Sequence, residues 1–235
     1  MNVSIKRMSA IFQKDLKDFS RNLAVSVVIF LPLFIAAIYS RMGVDSLASH
    51  YMIFNMTFAL TATYVQCCLI AEEKEKNTLR GLMLSPASTA DILGGKSLLS
   101  FVLTMLIIFF SAVLAEYQPA NIAIVALALV LSSFFYIAVG TLLGLWAKSV
   151  MESSVIVLPV LGIFSFGSFA VPLAEQYPIL KVLVYFPNHQ LFEIATKVEL
   201  GTAIGSMWSH FAIILLWTLV AVALTVIVYR KQTKD

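Results

Sequence analysis

The sequence predicts an all-α membrane protein with six transmembrane helices. Three observations carry this. Of the 235 residues 60% are hydrophobic and only 12% charged, far from the balance of a soluble domain. Six apolar runs have the roughly 17 to 25 residues that a helix needs to cross a bilayer core of about 30 Å. None of them alternates polar and apolar positions as a membrane barrel strand does. The runs lie at about Leu23 to Tyr39, Tyr51 to Ala71, Leu98 to Ala115, Ile122 to Ala147, Ser154 to Ala174 and Phe211 to Tyr229. The chain reads as one membrane domain over 1–235, with residues 1–21, 72–97 and 175–210 outside the spans.

Residues Asn2 to Ser20 place Ile5, Met8, Phe12, Leu16 and Phe19 at steps of three and four, with Lys6, Lys14 and Lys17 mainly elsewhere. This is the pattern of an amphipathic helix. Two seats are open to it: the cytoplasmic face of the membrane, or the chain's own cytoplasmic loops. Over twenty residues precede the first apolar run, which contains Pro32, so a cleaved signal peptide is not expected. A short outer loop with Gly43 and Asp45 leads to span 2, where Asn55, Thr63 and Gln66 fall broadly on one face. Buried amides and hydroxyls need partners, so these three either line a cargo path or hydrogen-bond between helices. Cys67 and Cys68 are adjacent, lack metal-ligand spacing and read as small packing residues.

The longest polar stretch of the middle of the chain is AEEKEKNTLRGLMLSPASTADILGGKS, Ala71 to Ser97. Its closing GGKS resembles the end of a phosphate-binding loop, which requires G-x-x-x-x-G-K-[ST] after a strand. The first glycine would fall at position 90, which is Ala90. Ser88 and Asp91 instead form an S-x-x-D capping box, so GGKS lies inside a helix running into span 3. Lys96 there is expected to reach up to the lipid headgroups. Pro86 divides the stretch. Before it Leu79, Leu82 and Met83 share a helical face, with Leu84 beside it and Arg80 turned away. A short amphipathic helix ringed by Glu72, Glu73, Lys74 and Glu75 has the character of a docking surface.

Spans 3 and 4 are joined tightly through Glu116, Gln118 and Pro119, with Asn121 capping span 4. Gly140 and Gly144 form a G-x-x-x-G pair that favours close helix packing. An inner turn, Lys148 to Ser153, leads to span 5 and its GIFSFGSF segment. The small residues there, including Ser165, and the aromatics Phe166 and Phe169 offer a surface for apolar cargo, although lipid-facing phenylalanine has the same signature. From Glu175 to His210, ILKVLVYF and HQLFEIATKVEL are too short to cross and suit re-entrant helices dipping into the outer face.

Orientation follows from the lysines and arginines, which cytoplasmic loops retain. With both termini inside, only Arg41, Lys181 and Lys197 of the sixteen face outward. The net charge of +3 follows from this topology and implies no nucleic acid. No Asp, Glu, Lys, Arg or His occupies a span centre, as a proton- or sodium-driven carrier would require. His50, His189 and His210 lie apart on the outer side, so no catalytic constellation and no metal site is expected. The spans are also too poor in polar residues for a channel.

The stretch EEKEKNTLRGLMLSPASTADILGGK resembles the cytoplasmic element of ATP-binding-cassette type-2 exporter permeases. The shared features are an acidic E-x-E run, a Thr-Leu pair, a Leu-rich turn, Ser-Pro and then Gly-Lys entering span 3. One departure is Asn77, where that family often has glycine. Asparagine tolerates a left-handed backbone, so the turn can survive. The resemblance covers almost the whole chain, since such permeases also have an N-terminal interfacial helix, six spans and re-entrant helices between spans 5 and 6.

It implies a separate ATPase subunit that binds ATP and magnesium, this chain holding no cofactor. That subunit would dock on a coupling helix between spans 2 and 3. Glu72, Glu73 and Glu75 would pair with its basic groups and Leu79, Leu82 and Leu84 would sit in its groove, with Thr78, Ser85 and Pro86 completing the element. A second permease copy or a paralogue and membrane lipid would be the other partners, and the plasma membrane the location. The expected function is export of a hydrophobic or amphipathic cargo, such as a peptide, an antimicrobial or a drug. The alternative is a membrane-embedded assembly or immunity factor that recruits a cytoplasmic partner without transport.

Overall fold

The computed structural model describes residues 5–78, 81, 88–171 and 176–232, and every regular element among them is helical. Six helices among the described residues are long and apolar enough to cross a membrane. They are Leu23–Met42, Leu47–Glu75, Ala90–Leu114, Ile122–Trp146, Val150–Gly167 and Ile204–Lys231, here spans 1 to 6. Each contains most of one of the six predicted runs.

Two spans are broken where proline dictates. Span 1 passes through a 3-10 turn at Val28–Phe30 before resuming as Leu31–Met42, because Pro32 has no N–H to donate and its ring crowds the carbonyl four residues back. Gly43 then ends the helix at φ 67°, a left-handed cap that glycine adopts without strain. Span 5 consists of Val150–Ile156 and Leu158–Ala170, interrupted just before Pro159. It begins four residues earlier than the sequence reading placed it, so the inner turn is shorter than Lys148 to Ser153. The cause is a side-chain cap: Ser149 Oγ accepts from Glu152 N at 3.2 Å, and Glu152 accepts from Lys148 N, one residue before the cap, at 2.7 Å.

Span 2 is the axis of the bundle. An 18-residue stretch of it is entirely buried, whereas the corresponding stretches of spans 1, 5 and 6 are 22% buried. Lipid supplies no hydrophobic drive between helices, so small residues and hydrogen bonds must hold them together, and span 2 shows both. A Cβ on Gly140 would lie 2.5 Å from the Thr63 carbonyl oxygen, and one on Gly144 would lie 2.7 Å from that of Cys67. The G-x-x-x-G pair of span 4 thus seats span 2 backbone to backbone. Phe58–Val65 takes π-helical turns in the middle of the span, a wider winding that alters which residues share a face. Cys67 and Cys68 are buried and free, as packing residues should be.

The N-terminal helix, Ile5–Arg21, packs on the start of span 3. Its buried residues are Ile11, Asp15 and Phe19, while Ile5 and Leu16 stay exposed. Between spans 5 and 6 two short helices stand where they were expected. Pro178–Tyr185 is a 3-10 helix with no buried residue. Pro187–Glu199 buries Leu191, Ile194, Ala195 and Val198 at helical spacing and packs on spans 4 and 6.

Candidate functional site

The charged end of span 2 is built by a helix stop. Asn77 has φ 56°, Thr78 N bonds to the Glu73 carbonyl at 2.9 Å and Asn77 N to that of Lys74 at 3.0 Å. This is a Schellman termination, with asparagine in the left-handed position usually held by glycine. It ends the helix at Glu75. Thr89–Leu114 begins with Ser88 accepting from Asp91 N at 3.1 Å and Asp91 accepting from Ser88 N at 2.9 Å, the predicted capping box. GGKS is therefore helical and forms no phosphate loop.

The residues of GGKS have a different task. A Cβ on Gly95 would meet Ile11 Cβ at 2.9 Å and the Met8 carbonyl at 3.1 Å, and one on Gly94 would meet Met8 Cε at 3.0 Å. The two glycines let the N-terminal helix lie against span 3. Lys96 does not reach the headgroups as expected from sequence. It is fully buried, with Nζ 3.0 and 3.2 Å from the carboxylate oxygens of Asp15 and 3.0 Å from Glu73 Oε1. Snorkelling serves a cation with no nearer counter-charge, and here two carboxylates stand within reach. Glu73 also accepts from Lys14 Nζ and Thr78 Oγ1.

The four groups form a closed charge cluster. Two buried carboxylates and a buried ammonium would each be costly alone, and each is neutralised by its neighbours. Burial works to lower the Lys14 pKa, but the hydrogen bond and charge of Glu73 win and hold it above 10.5. Burial of Asp15 outweighs the attraction of Lys96 and raises its carboxyl above the ordinary range.

The other charges of the run reach different helices. Glu72 pairs with Lys76 one turn on. Lys74 Nζ donates to the Leu145 carbonyl in the last turn of span 4, where a cation also suits the helix dipole. Glu75 accepts from Val150 N at 3.0 Å, at the opening of span 5. Within six residues, span 2 is tied to the N-terminal helix and to spans 3, 4 and 5.

Among the residues singled out from sequence, Glu72, Glu73, Glu75 and Thr78 thus come together. Leu79, Leu82, Leu84, Ser85 and Pro86 lie outside the described residues. Glu73, expected to face a partner, is 2% exposed and turned into the chain's own cluster, because Lys96 and Lys14 reach it first. Thr63 Oγ1 donates to the Tyr136 carbonyl at 3.1 Å, Gln66 Nε2 to Thr141 Oγ1 at 2.9 Å, and Ser100 Oγ to Gln66 Oε1 at 2.7 Å. These two residues bond spans 2, 3 and 4 together and take the helix-packing reading of the pair left open above. Asn55 and Ser165 are buried, each with a side-chain oxygen lacking a partner among the described residues, while Phe166 is exposed. The side chain of Phe169 lies outside the described ones. Asp15 escaped the sequence reading; its signal is an acid placed four residues from both Ile11 and Phe19, on the apolar stripe.

The six membrane-length helices, tied at one end by this charge cluster, define a multi-pass helical membrane protein. Residues 2–227 match the family described as ABC-2 family transporter protein, and the chain belongs to that family as a permease subunit of an ABC transporter. Permeases of this family are multi-pass membrane components that in general work with an ABC ATPase. No curated protein matches the chain.

Proposed function

We propose that this chain is the permease of an ATP-driven exporter and works in a pair, with a second copy or a paralogue, on two ATPase subunits. Both termini are cytoplasmic and the membrane is the plasma membrane. The short helices between spans 5 and 6 dip into its outer face. Glu72 and Glu75 offer charge to basic groups of the ATPase. Leu79, Leu82 and Leu84 fill its groove, and Thr78, Ser85 and Pro86 shape the element that carries them. Glu73 acts from behind, holding that element to the N-terminal helix and span 3. ATP-driven approach of the two ATPases pushes the element, and span 2 moves with its partners.

The observation that carries this reading is the set of ties from Glu73, Lys74 and Glu75 to four helices, which makes the segment after Thr78 a lever on the whole bundle. The lack of an ionisable residue at any span centre supports an external energy source. The cargo is hydrophobic or amphipathic, a peptide, an antimicrobial or a drug. Reconstitution with the ATPase in vesicles tests it: ATP drives a fluorescent amphiphile outward, and Leu82→Asp abolishes the movement. Transport that persists once ATPase binding is abolished refutes the coupling.

A further inference from the structure

At the end of the bundle opposite the termini, an apolar groove of about 670 Å³ runs between spans 3 and 4. Met105, Ile108, Phe109, Ile122, Ala126 and Leu129 are among its walls. These residues belong to membrane-spanning helices, so alkyl chains rather than water are the fitting occupant. At its mouth the groove shares Glu116, Tyr117 and Gln118 with a second hollow of about 380 Å³, whose other walls are Asp45, Leu47, His50 and Glu199. Three carboxylates rim the joint opening, and neither hollow is lined by lysine or arginine.

We infer that groove and bowl form one bipartite site for a cationic amphiphile, its alkyl chain between spans 3 and 4 and its amine among Asp45, Glu116 and Glu199. Charge complementarity selects the occupant: an anionic head would meet three like charges at the point where its tail enters the groove. The Tyr117 ring stands at the same mouth, 4.8 Å from the His50 ring and with its hydroxyl 3.3 Å from that of Tyr51, and an aromatic face adds attraction for a quaternary ammonium. His50 is buried and fixed by Asp45 Oδ1 at 2.9 Å, which holds one wall of the bowl in place. As a cargo site it rests on the exporter reading and narrows that reading's cargo to amines with apolar tails; as a binding site it needs no ATPase.

The test is equilibrium binding of radiolabelled dodecyltrimethylammonium to the full chain in phosphatidylcholine nanodiscs, empty discs subtracted, beside dodecyl sulfate and dodecanol. Saturable binding of the cation at least about tenfold tighter than of the anion is expected. Glu116→Gln with Glu199→Gln weakens the cation about tenfold and leaves dodecanol unchanged. Ala126→Phe weakens both, and because Ala126 is exposed to the groove the added bulk does not enter the core. Competition by phosphatidylethanolamine in the disc identifies a membrane lipid as the source of the amine, and its absence identifies an added amphiphile; both keep the site. Equal affinity for cation and anion overturns it, as does indifference to Ala126→Phe. Disulfide cross-linking of Ala126→Cys between two copies also overturns it, since a second copy then fills the groove. Cation binding without ATP-driven movement refutes the exporter reading alone. Transport without cation preference refutes this site alone.

Discussion

Lys96 and Asp15, 81 positions apart in sequence, meet through two contacts of 3.0 and 3.2 Å with both side chains sealed from solvent. The N-terminal helix is thereby locked to the start of span 3, and through Glu73 to the end of span 2. A cluster of this kind confers specificity of placement more than net stability, so its worth shows when one member is removed.

Lys96→Met leaves Asp15 and Glu73 facing each other with only the half-exposed Lys14 as counter-charge. Thermal unfolding in mild detergent should show a loss of about 3–5 kcal/mol. Asp15→Leu added to Lys96→Met removes one stranded carboxylate and leaves Glu73 to Lys14, so the double variant should recover much of the loss.

Gly140→Ala should destabilise by about 1–3 kcal/mol. The obstacle is backbone, with the Thr63 oxygen at 2.5 Å and its Cα at 2.9 Å, and backbone cannot rotate aside. Gly162→Ala serves as the control. Nothing lies within 4 Å of a Cβ there, so its midpoint should stay level or rise slightly through better helix propensity.

Lys14 has its pKa raised by Glu73, which fixes the sign of its pH dependence. The stabilisation is fully present below the unfolded value of 10.5 and is lost as pH rises through the higher folded value. The midpoint difference between wild type and Lys14→Gln should therefore be flat from pH 7 to about 10 and shrink only above 10.5.

Gln66→Leu cuts the link from Thr141 to Ser100 and strands the Ser100 hydroxyl between spans 2 and 3. A loss of about 1–3 kcal/mol is expected, with ATPase binding retained because the proposed docking element is untouched. Midpoint and co-purified ATPase, measured on one preparation, check both halves.

Much of this molecule was legible in its sequence. Span number, the Ser88 and Asp91 capping box, the Asn121 cap, the left-handed Asn77 and the tight seat at Gly140 all follow from local chemistry. Boundaries failed where a second local signal competed: the Ser149 cap starts span 5 before its apolar run does. Lys96 failed for a different reason. A lysine near a membrane surface has a generic solution in sequence, and its actual partner was an aspartate far along the chain, brought near by two glycines on the helix that opens span 3. The shared face of Asn55, Thr63 and Gln66 was drawn on an ordinary helix, and the π-helical turns between them change that geometry.

The central claim is that the end of span 2 carries a docking element for a separate ATPase and couples it to the bundle. The most direct test is to purify the tagged full-length chain from its native membrane in mild detergent, as wild type and as Leu82→Asp, and to measure the stoichiometry of whatever accompanies it. The account predicts one ATPase subunit per permease with the wild type, lost in Leu82→Asp while the permease itself elutes as folded protein. Wild-type chain recovered without an ATPase, with ATP present throughout, contradicts it.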